Sequence, residues 1–99
     1  MELKQLLQKA REIWGDEKMS REDIVIALGV DYGDICRVIR DANEGGSFDE
    51  DELKKELGNV IFSTIRWIDD LGYSSEDCVS RAIEAQTKYV SKRAQKFQK

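Results

Sequence analysis

Two pairs of oxygen-bearing side chains recur at one spacing in this chain: Asp31 with Asp34, and Glu56 with Asn59, each three residues apart. On a helix, positions i and i+3 share a face, so each pair projects from its helix in one direction. Asp31 also stands where a hydrophobe is expected, inside the stripe Ile24, Leu28, position 31, Ile35 and Val38. Glu56 and Asn59 run beside a second stripe, Leu53, Leu57, Val60, Thr64, Trp67 and Leu71. A buried carboxylate without a partner costs several kcal/mol, and two kinds of partner suit it. One is a divalent cation: Mg²⁺ takes hard oxygen ligands and keeps several waters, and inward i, i+3 ligands on facing helices hold metals in bundles. The other is a guanidinium from Arg37, Arg66 or Arg81, which would leave the carboxylates structural or on a solvated helix edge.

The composition narrows the chemistry. The 99 residues contain no His, so the commonest general base is missing. Cys36 and Cys78 stand alone, without CxxC spacing, so neither a zinc site nor a disulfide framework is expected. Any hydrolytic chemistry falls to carboxylates and a hard metal, Mg²⁺ or Mn²⁺. The uncharged run from Leu57 to Ile65 is far shorter than the ~20 apolar residues of a membrane span. The start, Met-Glu-Leu-Lys-Gln, lacks the apolar segment of a secretory signal, so the expected location is cytoplasmic.

The elements that must position these residues are all helical. No proline interrupts the chain, so its punctuation comes from glycines and N-cap residues. Leu3, Leu6, Leu7, Ala10, Ile13 and Trp14 recur at three- and four-residue steps and predict a first helix over Glu2 to Trp14, ended by Gly15. Ser20, with Asp23 three residues on, opens a second that runs to about Asn43. Ser47 or Asp49 caps a third, which ends at Gly72, and Ser74 caps a fourth with a basic end at Lys88, Lys92, Arg93 and Lys96. No strand-type alternation persists. The expectation is one all-α domain over residues 1–99, a four-helix antiparallel bundle.

Several residues carry two readings. Gly33 and Gly58, inside helices where each costs ~1 kcal/mol relative to Ala, fit either close helix packing or room for a ligand. Trp14, Phe62, Trp67, Ile68 and Tyr89 at helical spacing read as core rather than as base-stacking platforms. The run SREDIVIALGVDYGDICRVIR has the outline of a helix-turn-helix with Gly29 at the turn, but its second helix would set Asp31 and Asp34 against DNA. With a net charge of −4 on the chain, nucleic acid is not the expected partner. The third helix is apolar on more than one side through Ile61, Phe62, Ile65, Trp67 and Ile68. A small domain built this way is expected to finish its core as a homodimer or higher homo-oligomer.

The stretch from Asp51 to Arg93, DELKKELGNVIFSTIRWIDDLGYSSEDCVSRAIEAQTKYVSKR, resembles the second half of the MazG-like all-α nucleoside triphosphate pyrophosphohydrolases, whose pattern there includes EELGDVL and then a basic helix. Ala27 to Val38, ALGVDYGDICRV, is similar to their LxEEVGELxEA segment. Carried over by position, the family's EExxE…ExxD signature falls on Val30, Asp31, Asp34, Glu56 and Asn59. The resemblance implies a Mg²⁺-dependent hydrolase that converts a nucleoside triphosphate to the monophosphate and pyrophosphate. It implies metal binding by Asp31, Asp34, Glu56 and, as a weak ligand or hydrogen-bonding partner of one, Asn59; Asp31 and Glu56 would handle the attacking water. The family's KxxxN pair falls on Ala82 and Gln86, leaving Arg81 and Gln86 as the nucleotide contacts. Departures at Val30, Asn59 and Ala82 keep a second reading open, a nucleotide-binding or protein-interaction module on the same fold.

Overall fold

The computed structural model describes residues 1–97, with side-chain environments through Arg93. Four helices follow one another: α1 (Leu3–Trp14), α2 (Arg21–Asn43), α3 (Glu50–Asp70) and α4 (Ser75–Phe97), and there is no strand among the described residues. The caps are those that the sequence chemistry requires. Ser20 Oγ accepts from the Asp23 N–H at 3.2 Å, Asp49 Oδ1 from Glu52 N–H at 3.0 Å, and Ser74 Oγ from Asp77 N–H at 3.3 Å. Asp49, and not Ser47, is therefore the cap of α3. Gly15 and Gly72 adopt φ of 83° and 82° where α1 and α3 end, a conformation that costs glycine nothing.

The helix α3 is the centre of the packing, with α1 and α2 both laid against it. Ala10 from α1, Ile24 and Val38 from α2, and Ile65 and Trp67 from α3 make up the buried apolar core. Phe62 and Ile68 are half-buried, as a share in that core requires. Trp14 and Tyr89 are not core: each is 65% exposed. Trp14 lies at the last turn of α1, where the Arg66 guanidinium from α3 covers its ring at 5.1 Å. Tyr89 lies on α4, which meets α3 only near its own first turns; every residue from Val79 to Arg93 is exposed. The four helices of the expected bundle are present, but in one copy only three close around a core. The radius of gyration is 17.0 Å, against about 13 Å for a compact chain of this length. Lys96, expected in the basic end of the fourth helix, lies outside the described side chains.

A buried ion cluster pins α1 to the end of α3. Asp69 and Asp70 close α3, where the helix dipole disfavours negative charge, and Arg11 of α1 compensates them by donating at 2.6 Å to each. Asp70, with no exposed side-chain surface, also accepts from the Met19 N–H at 3.2 Å and lies 3.7 Å from Arg66. The two carboxylates raise the Arg11 pKa, their hydrogen bonds being the largest cause. Breaking a buried pair from one side leaves the other charge uncompensated. Asp70→Ala is expected to cost about 3 kcal/mol or more in urea denaturation; a loss below about 1 kcal/mol would mean that the cluster adds no more than a surface ion pair.

Candidate functional site

The seam between α2 and α3 is where the expected carboxylates lie. Ile24, Ala27, Asp31, Ile35 and Val38 are the buried and half-buried residues of α2 on one helical stripe, so Asp31 sits mid-stripe as its spacing predicts. Asp34 is half-buried at the edge. The expected α3 stripe holds at Leu53, Val60, Thr64, Trp67 and Leu71, all buried or half-buried. One position differs: Leu57 is 49% exposed, while Glu56, expected beside the stripe, is buried at 5%. Apolar periodicity misplaced Leu57 because a leucine reads as core wherever its spacing allows.

The partners of the two helices' carboxylates differ. Asp34 Oδ1 has Arg37 Nη2 at 3.6 Å, one of the pairings that the sequence allowed. The other two candidate arginines are engaged elsewhere, Arg66 with Asp70 and Arg81 with Asp77, the last at 2.9 Å. Asp31 receives none of them, and its buried Oδ2 has no hydrogen-bond partner among the described residues. Burial pushes the Asp31 pKa up first, and the neighbouring charge of Asp34 adds to it. Glu56 Oε1 lies 3.5 Å from Lys55 Nζ, but that ammonium is closer to Glu52, at 2.9 Å, so Glu56 receives only a shared charge.

The remaining expected residues stand apart from this seam. Asn59 and Val30 are exposed, and Arg81 and Gln86 lie on the exposed length of α4. Gly33 and Gly58 are exposed too, and a Cβ at either would meet nothing within 4 Å. Close helix packing within the chain is therefore not what either glycine serves. Among the described residues no group of three or more carboxylates or thiols is gathered closely enough to hold a metal ion by itself. What fits a cation is narrower: one buried carboxylate oxygen with no donor, on a stripe that faces a helix carrying a second buried carboxylate. Sequence reasoning missed the cluster of Arg11, Asp69, Asp70 and Arg66; two adjacent acids at the C-terminal end of a helix were its legible signal.

The titration of Asp31 has a consequence for stability. A carboxyl whose pKa is raised by folding holds its proton more tightly in the folded state, so its ionisation destabilises the fold. That destabilisation is absent below the unfolded value near 3.8, grows as pH rises through the raised folded value, and is complete above it. Asp31→Asn is expected to melt at a higher temperature than wild type at pH 7, with the gap closing as pH falls toward 3.8. A variant that melts below wild type at pH 7 would show that Asp31 has a stabilising partner.

No helix among the described residues is long and apolar enough to cross a membrane. Comparison with protein-family models, curated proteins and solved structures returns no match.

Proposed function

We propose that the α2–α3 seam is the active centre of a Mg²⁺-dependent nucleoside triphosphate pyrophosphohydrolase of MazG-like type, working as a homodimer. The observation that carries the reading is the buried, unpartnered Oδ2 of Asp31 on the packed stripe of α2. A hydrophobe there would pack without this penalty, and a carboxylate retained at such a position is what a site that takes a cation requires. The positional resemblance of Asp31, Asp34 and Glu56 to the family signature points the same way.

In this reading Asp31 would be the chain's first ligand to Mg²⁺, or Mn²⁺ in its place; Asp34 and Glu56, which the resemblance adds, are not gathered closely enough to complete a site by themselves, so waters and phosphate oxygens would supply most of the shell. The cation, when bound, supplies neutralisation of phosphate charge and acidification of water. The chain's own part is to orient the attacking water and to take its proton. The resemblance assigns that water to Asp31, whose buried Oδ2 has no donor among the described residues. Glu56, buried on the opposite helix, is the second group able to position that water. Attack at phosphorus breaks a phosphoanhydride bond, and the products leave as nucleoside monophosphate and pyrophosphate. Asn59 brings no charge, so the donor set is less negative than one of four carboxylates. Arg81 and Gln86 on α4 are the residues assigned to the nucleotide.

Pyrophosphate release across a panel of nucleoside triphosphates, with Mg²⁺ and with Mn²⁺, tests the reading. Release from at least one nucleotide is expected, falling about 100-fold or more in Glu56→Ala and in Asp31→Asn. Because Asp31→Asn is expected to be the more stable protein, loss of its activity could not be ascribed to unfolding. No release from any nucleotide, or release unchanged in Glu56→Ala, would refute the proposal.

A further inference from the structure

Beyond its first turns, which meet α3, the helix α4 is amphipathic and packs on nothing among the described residues. From Val79 to Arg93 all residues are exposed, although Val79, Ile83 and Val90 recur four and seven residues apart on one side. The pairs Asp77–Arg81 at 2.9 Å and Glu84–Lys88 at 3.0 Å belong to the other side. A helix in water draws most of its stability from packing an apolar face, and α4 has sorted its residues for such packing without meeting a surface in its own chain.

A matching surface lies on α2. Val25, Leu28, Tyr32, Cys36 and Ile39 follow helical spacing and are all exposed, next to the stripe that packs on α3. The lower part opens into an apolar groove between Tyr32, Ile35, Ile39 and Asn43. This stripe is about 21 Å long and that of α4 about 17 Å. Charge matches as well as length: residues 75–99 hold six Lys and Arg against three Asp and Glu, whereas residues 1–74 hold ten against seventeen. A basic arm and an acidic body attract between copies.

The geometry points to α4 as an exchanged arm: it lays Val79, Ile83 and Val90 along the Val25–Ile39 stripe of a second copy, which returns its own α4 in the same way. A helix about 10 Å wide laid along the shorter, ~17 Å stripe covers on the order of 170 Å² on each side. One such contact is far short of a specific interface, and the reciprocal pair, at about 700 Å², doubles it to the scale of a weak association that charge attraction must support. Reciprocity by a two-fold axis is thus part of the inference. It rests on the homodimer in the reading above and is independent of the hydrolytic chemistry.

The native Cys36, exposed in the α2 stripe, supplies the probe. In full-length protein carrying Cys78→Ser, each of Val79→Cys, Ile83→Cys, Thr87→Cys and Val90→Cys is oxidised mildly and run on a non-reducing gel, with Cys78→Ser alone as the control. At least one is expected to form a covalent dimer well above the control, since a disulfide needs the two Cα atoms within about 7 Å. A disulfide within one chain would show α4 folding back on its own α2 and would overturn the exchange. No cross-link from any of the four would also overturn it. Sedimentation equilibrium of unmodified protein separates the causes: a monomer at micromolar concentration removes the dimer itself, and a dimer without cross-links removes only the arm. Ile83→Glu with Val90→Glu is expected to weaken dimerisation about 100-fold or more, with α1 to α3 still helical by circular dichroism.

Discussion

The arrangement depends on a seam that asks for hydrocarbon and receives charge. Where α2 crosses α3, the periodicity of both helices sets Asp31 and Glu56 among Ile24, Val38, Val60 and Trp67. Among the described residues neither carboxylate is neutralised by a dedicated cation. Asp31 has a buried oxygen without any donor, and Glu56 shares Lys55 with the nearer Glu52. Desolvation of this kind is unfavourable in the absence of a partner, and proteins retain it mainly where a ligand or reaction supplies the partner. The contrast with Asp70 is instructive. That carboxylate is more deeply buried, yet Arg11, Arg66 and the Met19 N–H all serve it, so it holds helices together and leaves nothing for a ligand to satisfy.

Much of this was legible in the residue order. Glycine and Ser/Asp caps set the helix ends to within a residue or two, because capping is local chemistry that needs no tertiary partner. Asp31 was readable as an inward carboxylate because it interrupts an otherwise regular stripe. The face of α3 was legible except at one position: hydrophobicity placed Leu57 inward, but Glu56 went to the interior while Leu57 stayed at the surface. Trp14 was assigned to the core on periodicity, but at the end of α1 it stays 65% exposed, met on one face by Arg66 of α3. Which arginine serves which carboxylate was not legible at all, since three candidates were equivalent in sequence and only the fold distributes them.

The same shortage of chain explains the shape. A domain of 99 residues buries a limited share of its surface, and here α1 and α2 pack on α3 while Leu57 and Ile61 of α3 stay exposed. The apolar stripes left on α2 and α4 resemble one another in length and spacing, and the basic residues are concentrated on the element that projects. Under the proposed arm exchange, a second copy would cover both stripes.

A divalent cation received by the α2–α3 seam, as proposed, is detectable residue by residue through the paramagnetism of Mn²⁺. In ¹⁵N-labelled protein, substoichiometric Mn²⁺ broadens amide resonances near the ion. Broadening is expected to begin at Asp31, Asp34 and Glu56 and to spread along the seam, and Asp31→Asn is expected to abolish it there. Broadening centred on the solvated acids Asp49 to Glu52 at the start of α3, with the seam unaffected, would contradict the proposal.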